Sequence, residues 1–231
     1  AKHENPVLIE RKFLEQRLDT YSMSVTHLNN YLNCPLKFYY QNFLQIPSAK
    51  NQAMAFGSAV HNSIEELFKR MLKNENVFPS EEEFIEIVER KMYGQEDSFS
   101  KKEYQQKLEY VKKFLPEYYQ RYVNEWNKDI KFEKRLYAVY EGIELNGALD
   151  KMEFDGNNVN IIDYKTGQYD KPYTKKKFKS PATSEAIEKL KDKGKEPTLE
   201  DKVGGDYWRQ AVYYKILMAY TKELSQTHWQ Y

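Results

Sequence analysis

The sequence predicts an α/β fold in which a long helical region precedes a sheet of consecutive strands and a last strong helix closes the pattern. Three observations carry this expectation. Up to about residue 128, apolar residues recur at helical spacing. Between Phe132 and Lys165 the period shortens to two, and turn signals separate three runs. From about Asp206 the helical period returns.

Taken in order, residues 1–21 carry mixed charge and few apolar anchors beyond Val7, Leu8, Ile9, Phe13 and Leu14. They read as a linker or the end of a preceding domain. Residues 22–231 then form one domain, helical over 22–128 and sheet plus last helix over 129–224. Ser24 caps a helix running to about Leu44, with Pro35 able to start a second segment. A helix from about Ala53 to Lys73 puts Val60, Ile64, Leu67, Phe68, Met71 and Leu72 on one face. Pro79-Ser80 and three glutamates open the next, with Phe84, Ile87, Val88 and Met92 inward. The longest, about Ser100 to Trp126, carries Pro116, which is expected to kink it. Strands are expected at Phe132–Tyr140, Ile143–Phe154 and Val159–Lys165, joined by turns at Glu141-Gly142 and at 155–158. Residues 168–205 are polar, with a short helix near Ser184–Lys191. The last helix, about Asp206 to Leu224, is expected to bury Trp208, Ala211, Val212, Ile216 and Ala219.

Composition narrows the function classes. The 36 basic and 35 acidic residues nearly cancel, so total charge does not advertise nucleic acid. Its distribution is more informative: Lys175, Lys176, Lys177 and Lys179 cluster just after the third strand, where they could meet phosphates. A lysine run by itself is more often a solvated loop. The 20 tyrosines and 12 phenylalanines fall mostly at helical spacing and are assigned to the core, not to base stacking. One cysteine argues against a disulfide framework. No signal peptide or membrane-length apolar run occurs, so a soluble, cytoplasmic chain is expected.

Chemistry concentrates on the second and third strands. Asp163 and Lys165 are two residues apart and share a strand face. Asp150 lies on the preceding strand, so pairing would bring two carboxylates and one ammonium onto one patch. Two hard oxygen ligands suit a magnesium-type ion that keeps room for water and phosphate. An Asp-x-Lys is often only a solvated edge pair. Here it ends an apolar run, where charges need partners or a metal. The site expected is that of a metal-dependent phosphodiesterase. His61, after Phe56-Gly57-Ser58-Ala59-Val60, sits at the border of an apolar helix face. Gln210 and Tyr214 stand one turn apart on the last helix. Alone, such residues are more often structural or surface polar groups.

In order, these pieces resemble the PD-(D/E)XK nuclease superfamily, in its RecB/AddB-like exonuclease branch. The matching elements are Gly57-Ser58-Ala59-Val60-His61, Gly147-Ala148-Leu149-Asp150, Asp163-Tyr164-Lys165-Thr166-Gly167 and Gln210-Ala211-Val212-Tyr213-Tyr214. The stretch Ser24–Tyr40 is similar to the opening helix of that branch. The resemblance covers about residues 22–220 and implies a restriction-endonuclease-like core, a central mixed sheet flanked by helices. It implies that Asp150, Asp163, His61 and the carbonyl of Tyr164 hold Mg2+ or Mn2+, that Lys165 positions the attacking water, and that Gln210 and Tyr214 contact DNA or brace Lys165. Glu133 takes the place of an acidic residue of many members. Some members hold an iron–sulfur cluster on four cysteines. Cys34 matches the early one, and with no other cysteine no cluster is expected. The branch implies single-stranded DNA as substrate and a helicase as partner or as part of the same chain, as in UvrD/Rep-type helicase–nucleases, in DNA repair or recombination. No Walker motif is present. Two other readings are a catalytically silent DNA-binding or scaffolding module and a helical adaptor whose tyrosine-rich face binds protein. The second leaves the Asp-x-Lys strand unexplained.

Overall fold

The computed structural model describes residues 11–47, 51–156 and 158–221, without the side chains of Glu133 and Lys134. Val7 to Ile9, turn residue Asn157 and residues 222–224 of the expected last helix lie outside this set, and so does any account of the Glu133 carboxylate. The chain divides into two compact units. One comprises the described parts of 48–136 and 148–175, the other those of 1–47, 137–147 and 176–224.

The first unit is built on three helices: α4 (Gln52–Lys73), α5 (Glu81–Tyr93) and α6 (Lys101–Tyr122). Each begins where a side chain satisfies the first free amides. Asn51 caps α4, and Ser80 with Glu83 and Ser100 with Glu103 form reciprocal capping boxes on α5 and α6. Alpha4 packs on α5 and α5 on α6. Their apolar stripes close a core around Phe68, Met71, Phe84, Val88, Val111 and Leu115. Leu72, expected inward, is exposed. Pro116 lies within α6 and does not end it, although the helix stops at Tyr122, short of Trp126.

Three strands follow: β1 (Ile130–Tyr140), β2 (Ile143–Asp155) and β3 (Asn158–Ile162), in the spatial order β1-β2-β3. The first hairpin turns on Glu141 (φ 48°) and Gly142 (φ 80°), the pair of positive φ angles that a two-residue type I′ turn requires. Beta2 pairs antiparallel with β3 from Lys151↔Ile162 to Asp155↔Asn158. The third strand therefore ends at Ile162. Asp163, Tyr164 and Lys165, expected to lie within it, follow its last residue as non-strand backbone.

The second unit gathers three distant stretches of chain. Alpha2 (Val25–Asn33), capped by Ser24, breaks at Cys34, and α3 (Pro35–Phe38) restarts with proline at its first position before a π-turn over Tyr39–Phe43. Met23 forms a parallel bridge with Leu145, and Ala138 an antiparallel one with Thr221. The last helix, α10 (Asp206–Tyr220), buries Arg209, Tyr213, Tyr214, Leu217 and Met218. This corrects the expected core face: Ala211 and Ala219 are exposed. Arg209 is the reason the periodicity misled, being buried with its guanidinium bonded to Asn29 Oδ1 at 2.7 Å, to Asp206 and to the Gly204 carbonyl. A Cβ on Gly147 would stand 2.8 Å from Leu217 Cδ2, so a strand residue without a side chain lets α10 approach.

Within the stretch expected to be a linker or the end of a preceding domain, α1 (Arg11–Asp19) is helical, with no buried residue. The polar stretch after β3 holds α7 (Pro172–Lys177), α8 (Ser184–Asp192) and α9 (Leu199–Val203). Only α8 was anticipated. Alpha7 carries Lys175, Lys176 and Lys177 on a helix, not on a loop.

Candidate active site

The end of the β2–β3 ladder sets the site. Lys151 is the last β2 residue to pair, with Ile162. One step further along the same register, Asp150 would face Asp163, but the ladder stops first. The Asp150 carboxylate instead accepts the backbone N–H of Tyr164 at 2.9 Å. A side chain thus takes over where the strand pairing ends, and it fixes the path of the Asp163-Tyr164-Lys165 segment. Leu149 and Lys151, both almost fully buried, hold Asp150 between them.

Alpha4 brings the histidine. Val60, Ile64 and Leu67 are buried and lock the helix against the core, which leaves His61 half-buried at its rim. Its Nδ1 lies 3.3 Å from Asp150 Oδ2, and its ring meets Tyr164 edge-on at 6.0 Å between centroids. Gly57, one turn earlier, would place a Cβ 3.4 Å from Thr166 Oγ1, so its helix face runs close to the segment after Lys165.

Four chemically active groups therefore lie in one unit: His61, Asp150, Asp163 and Lys165. Lys165 Nζ is ion-paired with the Asp163 carboxylate. Burial pushes the Asp163 carboxyl above its ordinary value, and the field of Asp150 adds to this. Lys165 and His61 pull the other way without cancelling it. Burial lowers the affinity of His61 for its proton, but the hydrogen bond and charge of Asp150, the charge of Asp163 and the Tyr164 backbone outweigh it. The imidazole ends above its ordinary value. Two carboxylates and an imidazole are hard or borderline donors of the kind a magnesium- or manganese-type ion takes. The Asp163 carboxyl, half-buried beside a second carboxylate, is a group that a cation would stabilise in its charged form. In donor chemistry the residues fit such an ion. Among the described residues, no three His, Cys, Asp or Glu side chains stand close enough to close around one as placed.

Of the other expected site residues, Gln210 and Tyr214 belong to the unit built on α10. There Gln210 Nε2 donates to Tyr214 Oη at 2.7 Å, and Tyr214 is buried. The lysine run is split in its chemistry. Lys179 is ion-paired with Asp201, Lys177 Nζ lies 5.1 Å from the Tyr207 ring centroid, and Lys175 and Lys176 are exposed.

Two features had escaped sequence reasoning. Lys151 is a second, buried lysine next to Asp150, with Nζ 2.6 Å from Glu153 Oε1 and 4.4 Å from the Phe68 ring centroid. Burial lowers its pKa, and Glu153 restrains the fall. The only signal in the sequence is strand alternation, which puts Lys151 on the same face as Leu149 and Glu153. The other is a groove of about 290 Å3 beside Lys165, Thr166 and Gly167, walled by Phe56, Tyr110, Phe114, Tyr118 and Tyr164. Its only trace in the sequence is an aromatic residue at every fourth position of α6, a spacing that core residues share.

The model of the PD-(D/E)XK nuclease superfamily matches residues 22–222, nearly the whole described chain, and spans His61, Asp150, Asp163, Lys165, Gln210 and Tyr214. Neither a search of curated proteins nor a search of solved structures found a match. With a restriction-endonuclease-like α/β fold and a match over most of its length, the chain belongs to the PD-(D/E)XK nuclease superfamily.

Proposed function

We propose that this protein is a metal-dependent deoxyribonuclease, an exonuclease on single-stranded DNA that works with a helicase domain or partner in DNA repair or recombination. PD-(D/E)XK nucleases typically use divalent metals such as Mg2+ or Mn2+, and the superfamily implies DNA as substrate. Residues 22–231 are the nuclease domain in this reading, and 1–21 are a linker or the end of a preceding domain. The observation that carries the proposal is the meeting of His61, Asp150, Asp163 and Lys165 at the end of the β2–β3 ladder. No helix among the described residues is long and apolar enough to cross a membrane.

In this mechanism Asp150, Asp163, His61 and the Tyr164 carbonyl would hold the ion. When bound, it polarises the scissile phosphate and lowers the pKa of a water. Asp150 has a second task, since its bond to the Tyr164 amide aims the segment that carries Lys165. Lys165 holds the attacking water by hydrogen bond and offsets charge that develops on the phosphoryl oxygens. The attacking water gives a proton to solvent as its oxygen bonds to phosphorus in line, the ester P–O bond breaks, and the leaving oxygen takes a proton from solvent. Gln210, half-buried and bonded to the buried Tyr214, is the member of that pair that would contact the DNA strand, with Tyr214 bracing it.

The test is cleavage of a labelled oligonucleotide with magnesium. Asp163→Ala should abolish it, and Lys165→Ala should lower it by about 10²- to 10³-fold, the usual loss of one charge-stabilising donor. Circular dichroism should show both variants folded. Wild-type rates in either variant would refute the assignment. A wild type that binds DNA without cleaving it in any divalent metal would establish the silent module instead.

A further inference from the structure

Helix α6 carries a core face and a separate row of aromatic residues. Tyr104, Val111 and Leu115 are buried and complete the core. Tyr110, Phe114, Tyr118 and Tyr122 recur at every fourth residue on another side, and Trp126, four residues further and past the end of the helix, joins the row while packing against Phe68 and Phe78 of the core. Tyr110 is 56% exposed and Phe114 47% exposed, although neither is needed to close the core. The rings form a continuous series. Tyr110 and Phe114 are parallel to 2° with centroids 6.0 Å apart, and Phe114 and Tyr118 lie at 18° and 6.4 Å. Tyr118 meets Tyr122 at 5.1 Å and Trp126 at 5.5 Å. Scattered surface aromatics need no explanation, but an ordered row of them does.

We propose that this row is a base-stacking platform that leads single-stranded DNA to the Asp163–Lys165 segment. Three observations support this occupant. First, the row is continuous with the candidate active site: the groove between Phe114, Tyr118 and Tyr164 is bounded by Lys165, Thr166 and Gly167. Second, four helical residues advance about 6 Å, of the order of one nucleotide of an extended strand, so successive rings can meet successive bases. Third, cations flank the rings. Lys107 Nζ stands 4.8 Å from the centroid of Phe56, an α4 ring 6.2 Å from Tyr110, and the Arg121 guanidinium lies 5.2 Å from the Tyr122 centroid, with Lys113 on the same helix. Glu109 and Glu117 are the opposing charges there. Exposed π-faces beside cations are what sequence-tolerant binding of a single strand uses. A duplex hides its base faces and would leave the row without partners.

The inference rests on the nuclease reading for its substrate, but its test is separate, because binding is measured with a chelator present and no turnover. The probe is a fluorescein-labelled dT12, compared with a duplex of the same length. Tyr110→Ala combined with Phe114→Ala should weaken dT12 binding about 30-fold or more, the low end for two lost base stacks. The salt slope should be unchanged, because no phosphate contact is removed. Phe114→Trp should bind dT12 at least as tightly as wild type. Tyr93→Ala, at an exposed aromatic on α5 outside the row, should have no effect. Unchanged dT12 affinity in the double variant would overturn the proposal and leave the row to a protein partner. An equal loss on the duplex would overturn it too. A wild type that cleaves DNA while the double variant binds normally removes only this inference. A wild type that binds through the row but never cleaves removes only the nuclease reading.

Discussion

If lysines 175, 176, 177 and 179 all met phosphates, replacing the four with glutamine would flatten the slope of log affinity against log salt by about 2.8, at about 0.7 per phosphate of a single strand. The structure divides the run in two. Lys179 is committed to Asp201, whose carboxyl is held down at about 2 by Lys179 and by the Thr198 hydroxyl and amide, a capping box for α9. Lys177 lies against the Tyr207 ring. Neither can neutralise a phosphate without giving up its partner. Lys175 and Lys176, side by side on α7, are exposed. The expected loss of slope is therefore about 1.4, and it should be complete in Lys175→Gln/Lys176→Gln. Lys177→Gln/Lys179→Gln should keep the wild-type slope and instead lower the urea midpoint, because Asp201 loses its partner. Fluorescence titrations of a labelled single strand at three or more salt concentrations, with a chelator present, give the slope directly. A loss near 2.8 in the quadruple variant would refute the partition. An unchanged slope would refute any DNA contact by the run.

Three further outcomes follow from particular contacts. His61→Ala should raise the metal concentration needed for half-maximal cleavage and leave DNA affinity intact, with manganese at least as effective as magnesium in the wild type, since a nitrogen ligand favours the softer ion; superimposed metal titrations of variant and wild type would make His61 purely structural. Gly147→Ala should cost about 1–3 kcal/mol by overpacking against Leu217, a fall of about 2–12 °C in Tm, and less than additive loss in combination with Leu217→Ala would trace it to that contact. The Glu66 carboxyl is disfavoured by partial burial, yet Lys91, Arg70 and Arg90 more than compensate and lower its pKa to about 2. Its contribution to stability is present above the ordinary value of 4.5 and is lost as pH falls towards about 2, so Glu66→Gln should be less stable than wild type at pH 7 and converge with it in acid; a constant difference in chemical-denaturation midpoints across that window would contradict the assignment.

Most of the fold could be read from the sequence because its helices announce themselves. Alpha5 shows both an apolar stripe and a capping serine, α4 shows its stripe and α2 its cap, and the Cys34-Pro35 break shows as a proline placed for a new first turn. The hairpin at Glu141-Gly142 needed only its turn residues. Three things were not legible. Alpha7 and α9 are short and polar, and their ends are held by contacts such as Lys179 with Asp201, which no local pattern encodes. The inward face of α10 includes Arg209, whose burial depends on Asn29, 180 positions away in sequence. The aromatic row on α6 has helical spacing, as core residues do, and only the helix's rotation tells which of its faces is covered. At the site, the pairing of Asp150 with the Asp163 segment was foreseeable from the hairpin. That β3 would stop at Ile162, leaving a carboxylate to receive the Tyr164 amide, depends on side-chain geometry that alternation does not carry.

The discontinuity of the α10 unit bears on how the chain is made. Alpha4, α5 and α6 are consecutive and find their partners nearby, so this helical layer can consolidate while later segments are still being synthesised. Residues around Met23 must wait. Their hydroxyl donor is Tyr213, 190 positions later, which also donates to the Asn146 carbonyl at 3.1 Å. Until α10 emerges, the Met23 and Asn146 carbonyls lack that donor and Gly147 has no helix to receive. A ribosome stalled before α10 should thus display a protease-resistant α4–α6 segment attached to protease-sensitive residues 11–47. Resistance in the two regions would then arise at different chain lengths, hundreds of ångströms of extended polypeptide apart.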